Sequence, residues 1–176
     1  ALTAWTGLQA GADTIFVAEG AAGAATGADW ANAFPTLTQA LAAAGAGDAI
    51  WVAEGTYTPG ANRGDSFVLP AGVALYGGFT TAMSSLDERN WTNHLSILDG
   101  DLDQDGTPAG NAYHVVRTAD GATLDGFAIA NGVADGAAPD NSGAGILHAT
   151  GLFSLRNCTV RDHFALLGGA LDAGGE

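Results

Sequence analysis

The chain has 176 residues, enough for one domain with a buried core. It carries 19 Asp and Glu against 5 Lys and Arg, a formal charge of −14, and every basic residue is an arginine. That field repels nucleic acid and anionic lipid surfaces, both of which are held by cationic side chains. The single cysteine, Cys158, excludes an internal disulfide. No apolar run approaches the roughly 18 residues of a membrane span. Fifteen of the acids are Asp and there are 27 Gly. Both residue types favour turns, so the acidity is expected in turns and loops. Solubility is the simplest reading of that acidity, and cation binding is its rival.

Residues 1–12 read as an N-terminal extension, and residues 13–176 as one domain. The extension carries Leu2, Trp5 and Leu8 outside any repeat, which makes it a candidate contact for another copy of the chain. Asp13-Thr-Ile-Phe-Val-Ala-Glu-Gly20 and Asp48-Ala-Ile-Trp-Val-Ala-Glu-Gly55 agree at six of eight positions, 35 residues apart. Each alternates β-branched and aromatic residues and stops at Gly, the pattern of a short strand. Between them Leu37, Ala40, Leu41 and Ala44 recur at helical spacing, with Pro35 suited to the first turn and Gly45 to the stop. The first third therefore reads strand, helix, strand.

Further on, Leu124-Asp-Gly-Phe-Ala-Ile-Ala-Asn131 aligns with Leu155-Arg-Asn-Cys-Thr-Val-Arg-Asp162, 31 residues later. Gly145-Ile-Leu147 aligns with Gly169-Ala-Leu171 at a spacing of 24, with Val73–Phe79 as a candidate earlier copy. Short strands recurring at such spacings describe the coils of a solenoid, in which stacking makes the core that no coil has alone. Leu155, Cys158 and Val160 should then point inward, and Asn131 and Asp162 should stack as like residues. The stretches 59–65, 80–96, 100–111 and 132–143 are rich in Gly, Asp, Asn and Pro and should project as loops.

These motifs occur in an order that resembles a known family. Asp29-Trp-Ala-Asn-Ala-Phe34, Gly47–Tyr57, Gly72–Phe79, Leu86–Trp91, Ile97–Asp101, Tyr113–Val116, Leu124–Phe127 and Gly168–Leu171 follow one another as in bacterial pectin-lyase-like surface proteins. The Gly168–Leu171 segment is similar to polymorphic outer-membrane-protein repeats. The resemblance implies an all-β, right-handed parallel β-helix with an N-terminal capping helix, secreted or displayed at the cell surface. It implies a structural or adhesive module, with cell-surface glycans as a candidate partner. Because some relatives are polysaccharide lyases, a lyase-like enzyme is the alternative.

The sequence leans away from catalysis. It has no Lys to serve as a lyase base, and an acidic wall repels a uronate polymer. Arg117, Arg156 and Arg161 are expected on outer faces, with Arg161, Asp162 and His163 as one candidate cluster. His114 is expected on the outer face of a strand. His94 and His148 have no metal-ligand spacing, and Ser142 lacks a nucleophile elbow. Trp51, Tyr57 and Trp91 could form a sugar platform, although Trp51 repeats Phe16 and so suits packing.

The densest polar run is Asp99-Gly-Asp-Leu-Asp-Gln-Asp-Gly106. Asp101, Asp103, Asp105 and Gly106 match positions 1, 3, 5 and 6 of a calcium loop. Position 12 is Ala112, which cannot ligate, so Asp99 or Asn111 is the expected substitute. Calcium is thus the candidate cofactor, against a plain acidic turn. At the other end, Gly168–Glu176 opens a coil that the sequence does not complete. Its exposed rungs are expected to receive further coils of a longer chain or another copy, the latter building head-to-tail filaments.

Overall fold

The computed structural model describes residues 12–173. The extension contact assigned to Leu2, Trp5 and Leu8 lies outside the described residues, as do residues 174–176. The chain is mostly sheet, and every strand pair among the described residues is parallel.

It opens with β1 (Thr14–Val17) and reaches the α-helix, α1 (Leu37–Ala43). The Thr36 hydroxyl caps α1 by accepting from Gln39 N, and the helix ends at Ala44, just before Gly45. Four groups of strands then follow in chain order. The first is β2 (Ala49–Ala53), β3 (Gly55–Tyr57) and β4 (Phe67–Leu69). The second is β5 (Ala74–Phe79), β6 (Ser96–Asp99) and β7 (Val116–Thr118). The third is β8 (Thr123–Asp125), β9 (Phe127–Ala130), β10 (Val133–Ala134) and β11 (Ile146–His148). The last is β12 (Ser154–Arg156), β13 (Thr159–Arg161), β14 (Phe164–Ala165) and β15 (Leu171–Asp172). Like members pair, giving a five-stranded sheet β1-β2-β5-β8-β12 and two four-stranded sheets, β3-β6-β9-β13 and β4-β7-β11-β15. A short β10–β14 pair stands beside them.

Pairing in register stacks apolar side chains into inward ladders. In the first sheet the ladder is Ile15, Ile50, Leu75, Leu124 and Leu155. In the second it is Tyr57, Leu98, Ile129 and Val160. In the third it is Phe67, Val116, Ile146 and Leu171. The ladders meet in one core cluster. Burying each such side chain contributes about 1.5–3 kcal/mol relative to leaving it in water.

Two sequence alignments hold to the residue. Thr14 pairs with Ala49, and Leu124 with Leu155. Two others are corrected. Ile146 pairs with Leu171, 25 residues on, one more than the Gly145/Gly169 alignment gives. Since strand side chains alternate, that slip would have turned Leu171 outward and Ala170 inward. Val73–Phe79 is not a copy of that strand either: β5 lies in the first sheet, and the earlier members of the third sheet are β4 and β7.

The two ends differ. At the N-terminal end, Gly27 O accepts from Phe16 N, and Phe34 N and O bond across to the Phe16 O and Ala18 N of the outer edge of β1. The Glu19 carboxylate accepts from Thr56 N on the outer edge of β3. Helix α1 buries Leu37, Ala40 and Leu41 against β1, β2 and β4. At the C-terminal end, Leu155 is 37% exposed, Phe164 54% and Leu171 41%, where Leu124 and Ile146, the strand partners of Leu155 and Leu171, are 0%.

Corners are taken by residues that tolerate positive φ. Asn131 (φ 64) and Asp162 (φ 60) follow the paired strands β9 and β13, and Gly126 (φ 87) and Asn157 (φ 50) precede them. Short Asn and Asp side chains tolerate this region and bond locally. Here Asn131 Nδ2 donates to Asp99 Oδ1 at 2.8 Å and Asn157 Nδ2 to Asp125 Oδ1 at 2.8 Å.

Candidate functional site

The loop after β6 gathers the acidic run. It turns sharply, with Gln104 at φ 56 and Gly106 at φ 75. The turn closes where Gly106 N donates to Asp101 Oδ2 at 2.8 Å. This brings carboxylate oxygens of Asp101, Asp103 and Asp105 within 4.8 Å of one another. At that separation two like charges repel by about 1 kcal/mol in bulk water and about 3–4 kcal/mol at an effective dielectric of 20. None of the ion pairs among the described residues involves these three.

The predicted ligands occupy distinct positions. Asp103 and Asp105 are exposed; Asp101 is buried. Asp105 accepts from Thr107 N at 2.7 Å and from Thr107 Oγ1 at 3.1 Å, which fixes its carboxylate. Asp99 stands apart from the trio. It is buried at the end of β6, where it accepts from Asp101 N, Asn131 Nδ2 and Gln104 Nε2, and so anchors the base of the loop. Asn111 is buried at the far end, with Nδ2 donating to Asn131 O. Asp101 Oδ1 and Asn111 Oδ1 are both buried without a hydrogen-bond partner. Their residues line one cavity of about 250 Å³, together with Thr107, Asn131, Asp162 and His163. Ala112, at position 12 of the loop motif, is buried and offers no ligand.

Sequence reasoning missed what holds this region. Arg63, 48 residues before Asn111, donates to Asn111 O at 2.8 Å, to Val133 O at 3.0 Å and to Asp135 at 2.6 Å, with its guanidinium over Tyr113. No local pattern announces a contact over that distance. On the other side of the cavity, Asp162 and His163 were singled out in the sequence, but as an outer-face cluster with Arg161 and not as neighbours of the acidic loop.

The other candidate groups are dispersed. Arg117, Arg156 and Arg161 sit on three different sheets. Arg161 pairs with its neighbour Asp162. His163 turns away from that pair: Gly132 N donates to its Nδ1 at 2.9 Å, so Nε2 carries the proton toward Ile129 O at 3.1 Å. Burial pushes its pKa below the ordinary histidine value. His114 is not on an outer face. It is buried ahead of β7, with ring nitrogens facing Gly143 O and Asp140 Oδ1, because the loop 135–143 folds over it. A larger groove of about 740 Å³ runs past Arg117, Ser142, His148 and Asp172. Both ring nitrogens of His148 are engaged there, by Thr118 and Gly151 O. Trp51, Tyr57 and Trp91 do not form a platform. Trp51 stacks on Phe79 at 4.7 Å, Tyr57 is buried with its hydroxyl donating to Ala53 O, and Trp91 packs on Arg89. Cys158 packs against the core as expected, and burial raises its pKa.

Parallel strands returning to the same sheets, with a carboxylate loop at one corner, define an all-parallel β-repeat protein. No helix among the described residues is long and apolar enough to cross a membrane. The family described as "Protein of unknown function (DUF1565)" matches residues 18–163, and the chain belongs to that family. Comparison with curated proteins and with solved structures gives no match.

Proposed function

We propose that this chain is a structural, adhesin-like module of an exported or cell-surface protein. In this reading it is a right-handed parallel β-helix capped by α1, and the half-exposed rungs at Leu155 and Leu171 are a surface for another strand layer. DUF1565 is a family commonly associated with pectin-lyase-like parallel β-helices, which agrees with this assignment. The observation that carries it is the contrast between the ends. The N-terminal edges of β1 and β3 are hydrogen-bonded and α1 covers the core beside β4, whereas the ladders end at Leu155 and Leu171 half in water. Exposed apolar rungs with unpaired strand edges are a template for another strand layer.

Sedimentation and hydrophobic-dye binding of the isolated chain test this reading. The open end should bind dye and associate reversibly at micromolar concentration. Phe164→Ser with Leu171→Ser, both half-exposed, should abolish both effects in a chain that still unfolds cooperatively, with only a modest drop in melting temperature. A wild-type chain that stays monomeric and dye-free, or association unchanged in the variant, would overturn it. Release of unsaturated products from pectate, alginate or chondroitin would move the assignment to the lyase alternative.

A further inference from the structure

We propose that the β6–β7 loop is a calcium site, formed by the carboxylates of Asp101, Asp103 and Asp105 and completed by the amide oxygen of Asn111. Two independent features converge on it. The first is the trio itself, whose oxygens lie within 4.8 Å of one another. Oxygens bound to one calcium at 2.3–2.6 Å can be no more than about 5 Å apart, so the trio already spans one coordination sphere.

The second feature is the pair of oxygens that the fold buries and leaves unpaired, Asp101 Oδ1 and Asn111 Oδ1. A buried acceptor without a partner is costly, and both residues line the same cavity. One of them, Asn111, lies outside the acidic run and is held there from its backbone by Arg63 and from its amide by Asn131. A water could bridge the two oxygens but would leave the three carboxylates uncompensated. A divalent cation held at Asp101, the residue common to the trio and the cavity, would serve the orphaned acceptors and offset two of the three negative charges. Hard oxygen donors, all from protein and three of them charged, suit calcium. Magnesium is smaller and keeps several of its own waters. The ion would fasten Asp101 at one end of the loop to Asn111 at the other, beside the cavity wall that Asn131 and Asp162 share. This assignment stands apart from whatever covers the rungs at Leu155 and Leu171.

The experiment is a set of thermal melts on the full 176-residue chain after chelation, with calcium, with magnesium and with sodium chloride at matched ionic strength. Calorimetric titration with calcium gives the stoichiometry. With calcium at 10- to 100-fold its dissociation constant, mass action should raise Tm by about 3–10 °C. Magnesium should give less than half of that shift and sodium chloride none, with one calcium bound per chain. Asp103→Asn with Asp105→Asn should lose the calcium shift. Both residues are exposed, and an Asn oxygen can still accept from Thr107, so this variant should melt in chelator no lower than wild type. Melts indifferent to calcium, an equal response to magnesium or salt, or a calcium shift retained by the double variant would overturn the proposal.

Discussion

Replacing Arg89 with Met should destabilise the chain by about 3–5 kcal/mol at neutral pH, because it leaves the Asp125 carboxylate buried without its partner. Arg89 Nη2 donates to Asp125 Oδ2 at 2.8 Å and Nη1 to Asp125 O at 3.3 Å. The two side chains are 10% and 8% exposed, so little solvent screens them. The guanidinium also lies over Tyr76 and Trp91, and in this way fastens the long loop between β5 and β6 onto the first sheet. Burial pushes the Asp125 pKa up. The hydrogen bonds from Arg89 and Asn157, with the charges of Arg89 and Arg156, outweigh it and hold the carboxyl below its ordinary value. A carboxyl lowered on folding adds stability above its unfolded pKa, and that stability is lost as pH falls through the folded pKa. In Arg89→Met the folded pKa rises, and acid then relieves the buried charge. The gap between wild type and variant should therefore be widest near pH 7 and narrow toward about pH 3. Urea unfolding at several pH values measures it, and for a chain of this size the loss corresponds to a Tm drop of about 6–20 °C at neutral pH. A loss below about 1 kcal/mol, or a gap that does not change with pH, would refute the reasoning.

Within the second sheet, Ile129→Ala should cost about 2–5 kcal/mol, because Ile129 is fully buried between Leu98 and Val160. Val160→Ala, one rung later and only partly buried, should cost about 1 kcal/mol. Equal losses in urea midpoints would mean that Val160 is as well covered as Ile129. Stability should also fall as pH drops from the ordinary histidine range through the lowered pKa of His163, since its folded state favours the neutral ring that accepts from Gly132 N. Tm followed from pH 7 downward should show this loss in wild type and not in His163→Gln; the same slope in both would assign it elsewhere.

How far the sequence could be read depended on how distinctive each strand was. Ile15-Phe-Val and Ile50-Trp-Val alternate large residues, and only one register stacks them, so their pairing was legible. Gly145-Ile-Leu and Gly169-Ala-Leu offer small or apolar residues at adjacent positions, so a slip of one residue looks as good on paper. The helix was legible from its apolar spacing and from Gly45, although Pro35, expected in its first turn, lies one residue before the N-cap Thr36. His114 was misplaced because its burial comes from the 135–143 loop, which has no periodic signal. The acidic run pointed to its own trio, but the burial of Asn111 and the clamp from Arg63 are long-range and carry no local mark. The Arg89–Asp125 pair, 36 residues apart, was invisible for the same reason.

Neighbouring rungs are separated by very different lengths of chain. Ile146 meets Leu171 after 25 residues, while Phe67 meets Val116 only after 49, because the second group of strands carries the 80–95 and 100–111 loops. Both pairs nonetheless sit in the same sheet with the same parallel alignment. Closing a loop twice as long costs only about 0.6 kcal/mol more in chain entropy, less than one inward side chain returns on burial. Corners are therefore places where this architecture tolerates growth: a segment inserted after a strand lengthens the excursion and leaves the strand's partner unchanged. An ion-binding or recognition loop could be gained, lost or exchanged at such a corner over evolutionary time while every rung of the ladder kept its neighbour.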